Sequence, residues 1–592
     1  MRLSPLMIAV SLALMSGCQS APPTEAEADV GSAAYIAPVP PEAPHATPMQ
    51  APGLVSEDSV EAVAANAAAG QAAKQSLAEQ QRANLQARRA PATVGALAMA
   101  PPPAPPAVGY LAMPQANTEH YAAFEDSPLH LAAEQPVSTF SIDVDTGSYS
   151  NVRRMLMAGQ RPPADAVRAE EMINYFDYGY AAPTARDQPF RVTTELAPAP
   201  WNRAHRLLQV GIQGYRVPTA SIPASNLVLL IDTSGSMQDA DKLPLLKRSF
   251  AELVARLRAQ DRVSIVVYAG SAGLVLAPTP GDRKDLILAA LDRLEAGGST
   301  NGGEGLQLAY AQARAAFIRN GVNRVLLATD GDFNVGTFDQ RALETMVADQ
   351  RKTGVALTTL GFGTGNYNDA MAERLADLGN GNHAYVDSIE EARKVLGEEM
   401  SSTMLTIAED VKIQVEFNPA VVAEYRLIGY ENRALRREDF NNDRVDAGEI
   451  GAGHDVTALY EITLVGAGGA SVDPLRYGKP AATGARSDEL AWLRLRYKRP
   501  GESSSQLTQA PIKLAQAQGQ ASPALRWAAA VAAYADLLRG GRHLDGFGWA
   551  QVRHLAEGAR GSDPHGERAQ FLDLVDRAAK LTTPAAPVAV TE

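Results

Sequence analysis

"VLLIDTSGSMQDADK", residues 228–242, decides the fold. Val228, Leu229, Leu230 and Ile231 are apolar without alternation, and the run ends abruptly in Asp232. A strand with no polar face suits only the middle of a sheet that is covered on both sides. The period then changes: "DKLPLLKRSFAELVARLR" places its apolar residues three and four apart, as an amphipathic helix does. The same alternation continues downstream. "RVSIVVYA", "NRVLLATDGD" and "VALTTLGFG" read as strands, while "EGLQLAYAQARAAFIRNG", "ALETMVADQRKTG" and "EEARKVLGEEM" read as helices. Apolar strands separated by helices mean a doubly wound α/β domain with a parallel sheet, expected over residues 226–400. Such sheets bind ligands at the carboxyl ends of their strands.

Oxygen-bearing residues gather at those ends. Asp232, Ser234 and Ser236 come after the first strand, Thr300 lies in the glycine-rich "EAGGSTNGGEG", and Asp330 ends "RVLLATD". Among these positions there is no Cys or His, so the set suits a hard cation, Mg2+ or alternatively Mn2+ or Ca2+, and not zinc. D-T-S-G-S at 232–236, Thr300 between glycines and T-D-G at 329–331 resemble the metal-ion-dependent adhesion site of von Willebrand factor type A domains. The resemblance implies that Ser234, Ser236 and Thr300 supply hydroxyl ligands, and that Asp232 and Asp330 coordinate directly or through water. It also implies that a carboxylate from a protein partner completes the shell. Asp239 and Asp241 come soon after but are read as a solvated helix entry.

Outward from this domain the pattern changes. In the 119–225 segment, "FRVTTELAPAPWN" and "HRLLQVGIQGY" read as strands and "AEEMINYFDYGY" as a helix. In 401–500, "DVKIQVEFNP", "VAEYRLIGYEN", "DVTALYEITLVG" and "ELAWLRLRYK" alternate apolar with polar residues, the mark of an antiparallel β domain. The two early strands are expected to join it, so that the α/β domain is inserted into the β domain. Residues 501–592 read as a C-terminal helical segment. The flanking segments also resemble those of bacterial von Willebrand factor A lipoproteins, in which the C-terminal part has no assigned activity.

The N-terminus reads as a leader. Residues 1–18 carry Arg2, a short apolar run and Ser16-Gly17-Cys18, which resembles the lipobox of bacterial lipoproteins. The apolar run is too short to span the ~30 Å of a bilayer. Cys18 is therefore the expected lipidation site, and Gln19 after it leans toward the outer membrane, facing the periplasm. Residues 19–118 read as a Pro/Ala-rich, disordered tether with a helix over 57–89. A flexible chain of that length reaches roughly 55 Å.

Composition narrows the function. A formal net charge of -13 argues against a nucleic-acid partner, which would call for a basic surface. "DTGS" at 145–148 is reminiscent of aspartic proteases, but those need two paired carboxylates across a twofold, and the copy at 232 opens a helix instead. Asp439, Asn441 and Asp443 alternate like the start of a calcium loop, giving a second metal candidate. Arg444 stands where that loop needs Gly, and Ile450 where it needs Glu. "LGFGTGN" is a weak dinucleotide fingerprint, read here as a strand-to-loop turn. The sequence thus reads as a lipid-anchored envelope protein that binds a protein partner through a divalent cation, and not as an enzyme. The alternative is a metal-dependent hydrolase, with Glu304 or Asp332 as its base.

Overall fold

The computed structural model describes residues 118–331, 340–399, 402, 404–472, 488–517 and 519–582. Cys18, the tether up to residue 117 with its expected 57–89 helix, and Asp332 lie outside the described residues. The chain opens with β1 (His130–Leu131), β2 (Val137–Ser141), α1 (Gly147–Met157), α2 (Ala169–Asn174), β3 (Phe190–Pro198) and β4 (His205–Gly214). The alternating region begins with β5 (Ser225–Asp232), α3 (Leu243–Arg256), β6 (Arg262–Tyr268), β7 (Ala272–Pro280), α4 (Lys284–Asp292) and α5 (Gly302–Ala315). It continues through β8 (Val322–Thr329), α6 (Gln340–Arg351), β9 (Ala356–Phe362), α7 (Asp369–Leu378), β10 (His383–Val386) and α8 (Ile389–Arg393). After it come β11 (Thr406–Phe417), β12 (Val422–Ile428), β13 (Ile450–Gly451), β14 (Asp455–Leu464), β15 (Glu489–Lys498) and β16 (Gln506–Lys513). Three helices close the fold: α9 (Pro523–Arg539), α10 (Trp549–Glu557) and α11 (Glu567–Thr582).

The α/β sheet has six strands in the order β10-β9-β8-β5-β6-β7. β5 sits inside it, parallel to both β8 and β6, with Val228 opposite Val325 on one side and Ser264 on the other. Its side chains alternate between two cores. Leu227, Leu229 and Ile231 join α3 residues such as Leu246 and Phe250, whereas Val228 and Leu230 join α5 residues such as Leu306 and Tyr310. Each face demands an apolar residue, which is why the strand shows no alternation. The sheet is mixed rather than wholly parallel, because β7 runs antiparallel to β6 at its edge. "AGLVLAPTP" carries two prolines and has no buried residue, features an edge strand tolerates and a central one does not.

Among the described residues, the antiparallel β domain around this insertion consists of two sheets. The first has the order β1-β12-β14-β4-β3, and the second runs β13-β11-β15-β16 with β2 also on β11. Both contain strands from before and after the α/β region: Val210 of β4 pairs with Ala458 of β14, and Phe140 of β2 with Ile413 of β11. Their inner faces share one core, with Leu208, Val210, Tyr460, Ile413, Val415 and Leu493 among its members. The boundary expected at residue 500 shifts, because β16 pairs along β15. Most of β16 is exposed and it contains Pro511, so it lacks the apolar alternation that reveals the other strands. The C-terminal helices pack on the N-terminal flanking segment. Trp527 and Phe571 pack edge-on against Phe176 just after α2, at 5.2 and 5.7 Å between ring centroids.

Candidate functional site

The sheet order reverses at β5, because the chain moves to β6 on one side and later returns to β8 on the other. The crevice beyond the carboxyl ends of β5 and β8 is therefore the place where this architecture holds ligands. Asp232 ends β5 and Asp330 comes directly after Thr329 at the end of β8; both carboxylates are fully buried. Asp232 Oδ1 accepts the Ser234 N–H at 2.8 Å, and its Oδ2 accepts the Thr329 hydroxyl at 3.3 Å. The hydroxyls of Ser234 and Ser236 are 3.0 Å apart, with Ser234 buried and Ser236 exposed.

Two backbone bonds fasten the Thr300 loop to this turn. The Gly235 N–H donates to Gly298 O at 3.1 Å, and the Gly297 N–H donates to Thr233 O at 2.8 Å. Gly298 has φ 87°, a conformation that glycine adopts freely. Burial pushes the Asp232 carboxyl up to about 6, against the opposing Ser234 hydrogen bonds, and the Asp330 charge adds to the rise. A buried carboxylate held near a second one is a place where positive charge is favourable. The donors are hydroxyl and carboxylate oxygens, the set that a hard divalent cation takes.

The sequence reading overlooked Lys242, the last residue of the opening stretch. It is buried, and its Nζ donates to Asp330 Oδ2 and to Asn366 Oδ1, each at 3.0 Å. Its stem crosses Gly363, where an added Cβ would lie 2.3 Å from Lys242 Cγ. "LGFGTGN" is thus a turn that makes room for this lysine and supplies its second acceptor. Sequence offers only a basic residue at a helix start, where the helix dipole disfavours positive charge. That anomaly was the available signal.

The hydrolase alternative finds little support in Glu304, an exposed acid in the first turn of α5. The other candidate metal positions carry hydrogen bonds within the chain. Asp439 accepts the Arg436 N–H at 3.3 Å, Asn441 accepts Arg496 Nη1 at 3.2 Å, and Asp443 accepts Arg496 Nε at 3.3 Å and the Ser505 hydroxyl at 2.6 Å.

A second group of carboxylates was not anticipated as a unit. Asp143, Glu171 and Glu373 bring oxygens within 4.8 Å of one another and could form a cation site. They come from before α1, from α2 and from α7, so only the assembled fold unites them. Guanidinium groups also reach them. Arg433 bonds Asp143 at 3.1 Å, Asp145 at 3.2 Å and Glu373 at 3.2 Å, and Arg168 pairs with Glu171 and, at 2.6 Å, with Asp369. Burial pushes Glu373 up to about 7 and raises Glu171 and Asp145, despite the arginines. Burial would raise Asp369 too, but Arg168 and His383 hold it below the usual carboxylate range. Asp145, the acid of the protease-like "DTGS", is thereby a member of this buried network, where it accepts the His383 N–H at 2.8 Å.

Serine and aspartate oxygens at the switch point of a sheet of this order fit a von Willebrand factor type A domain, and residues 226–398 match that domain family. Residues 115–209 match the family described as von Willebrand factor, and residues 402–581 match the C-terminal family of the uncharacterized protein YfbK. The chain is 50% identical over 475 residues to YfbK of Escherichia coli (strain K12), covering 79% of this chain and 82% of that protein. The chain belongs to the YfbK family of von Willebrand factor A proteins. It is also 33% identical over 187 residues to the uncharacterized protein sll0103 of Synechocystis, covering 31% of this chain and 43% of that protein. Among solved structures, a von Willebrand factor type A protein from Catenulispora acidiphila is 15% identical, with TM-score 0.36, over 68% of this chain and 89% of the other. The family is consistent with protein–protein interaction and with a non-enzymatic role.

Proposed function

We propose that this protein is anchored to the bacterial cell envelope through a lipid on Cys18, at the outer membrane and facing the periplasm. There it binds an acidic side chain of a protein partner through a divalent cation. Ser234, Ser236 and Thr300 hold the cation by their hydroxyls, and Asp232 and Asp330 hold it directly or through water. The observation that carries the reading is the meeting of the Ser234 and Ser236 hydroxyls, 3.0 Å apart, above the buried Asp232 at the switch point. Two carboxylates neutralise a divalent ion only formally, and neutral hydroxyls leave it receptive to an outside anion. Mg2+ is the expected ion, with Mn2+ and Ca2+ as substitutes.

Calorimetric titration of the full chain with Mg2+ tests the site. Saturable binding that disappears in Asp232→Asn supports it, and heats identical in both proteins refute it. Affinity capture from envelope extract in Mg2+ and in EDTA then tests the partner, because a retained protein must depend on the ion. Palmitate labelling of the wild type but not of Cys18→Ser tests the anchor.

A further inference from the structure

We infer that Lys242 is a built-in counter-ion of the strand-end site: its ammonium competes with the divalent cation for Asp330, and residues 118–120 hold it there through the 363–369 loop. The inference rests on the cation site proposed above. Its starting point is the placement of Lys242 Nζ, 3.0 Å from Asp330 Oδ2 in a buried setting. One carboxylate oxygen of a proposed ligand is therefore already engaged by a positive charge. A divalent ion drawn to Asp330 meets both a partly neutralised acid and a fixed like charge.

The lysine is not placed by chance rotamer. Its stem lies across Gly363, whose φ of 75° and missing side chain leave the path open. The Asn366 side-chain Oδ1 accepts a second bond from Nζ at 3.0 Å. The same loop presses on the Asp330 turn: a Cβ on Gly331 would lie 2.2 Å from Asn368 N. Loop position and lysine position are thus one problem.

Residues 118–120 fix that loop from outside the domain. The Thr118 N–H and hydroxyl donate to Gly365 O at 2.8 and 3.0 Å, and the Gly365 N–H donates to Glu119 Oε1 at 3.0 Å. The His120 N–H donates to Tyr367 O at 3.0 Å, and the Asp369 N–H donates to His120 O at 3.2 Å. Glu119 is anchored in turn by Arg154 of α1 at 3.0 Å and by the Tyr121 hydroxyl at 3.0 Å. The strap begins at the last residue of the segment read as the tether. Whatever loosens the strap loosens the loop that aims Lys242, so strap docking and cation affinity are linked, each altering the other by the same factor.

The test is calorimetric titration of the full chain with Mg2+, comparing the wild type with Lys242→Met, Lys242→Arg and Glu119→Ala. Removing the charge is expected to tighten Mg2+ binding by about tenfold or more. Lys242→Arg, which keeps the charge, should not tighten it, and this separates electrostatics from repacking. Glu119→Ala should shift the affinity away from the wild-type value and speed hydrogen exchange at the Gly365 amide. If Lys242→Met binds Mg2+ no more tightly than the wild type does, the counter-ion is overturned while the site stands. If Lys242→Met tightens binding and Glu119→Ala leaves both readouts unchanged, the strap is overturned. If no protein of the set binds Mg2+, the cation site itself fails, and the inference with it.

Discussion

The strand-end site and the buried carboxylate network both gather acids, yet they treat the charge differently. At the strand ends, two buried carboxylates lie beneath the exposed Ser236 hydroxyl, and Lys242 reaches one of them. In the network, Asp143, Asp145, Glu171, Asp369 and Glu373 are closed off around Arg168 and Arg433. The first arrangement is the one we propose for an ion and a partner. The second joins the N-terminal flanking helices, the α/β insertion and the loop after β12, and its cations are covalently part of the chain. Acidic residues alone therefore do not mark a binding site; what matters is how far the chain's own cations already occupy them, two arginines bridging the network and one lysine reaching one acid at the strand ends.

The largest expected effect breaks the closed side of that comparison. Arg433→Met strands several buried carboxylates at once, and removing one partner of a buried pair costs about 3–5 kcal/mol. The denaturant midpoint should fall accordingly, and a drop near zero would show that the network is not closed. pH probes the same region. Glu373 sits at about 7 in the fold, above the ordinary 4.5, so the native state holds a proton that the unfolded chain releases. Its contribution to stability is thus present at low pH and is lost as pH rises from about 4.5 to 7, by on the order of 3 kcal/mol. Glu373→Gln should flatten this slope in melting experiments from pH 5 to pH 8.

On the open side, the expectation reverses: function suffers and stability does not. Asp232→Asn should lower divalent-cation affinity by about a hundredfold or more, since even outer-shell changes cost 10- to 100-fold. Its melting temperature without added metal should stay near the wild-type value, because the change removes a charge that burial disfavours. A large loss of stability would mean that Asp232 belongs with the closed network in kind. The smallest effect concerns Asp443, whose partners Arg496 and Ser505 lie toward the surface. Asp443→Ala should cost under about 1 kcal/mol, and Ca2+ should leave the melting curve of either protein unmoved.

Much of this was legible because it is local. The unbroken run from Val228 to Ile231 required a sheet with two covered faces, and β5 divides those residues between two cores. The strand-end acids and hydroxyls are adjacent to the elements that place them, so D-T-S-G-S, Thr300 and T-D-G could be read in order along the chain. β7 and β16 were not legible, since an edge strand can be exposed and carry proline without penalty to the sheet.

Sequence by itself determined the inserted α/β domain and the oxygen-rich loops, because period, apolar content and turn chemistry are properties of neighbouring residues. Only the tertiary structure decided the partners of the charged groups. Arg433 meets Asp143 across 290 positions, Lys242 meets Asp330 across 88, and Gly365 meets Glu119 across 246. Nothing in local propensity encodes such pairings. They result from the order in which strands join a sheet and from the low-dielectric interior, where each buried charge must find its partner or give up its ionisation.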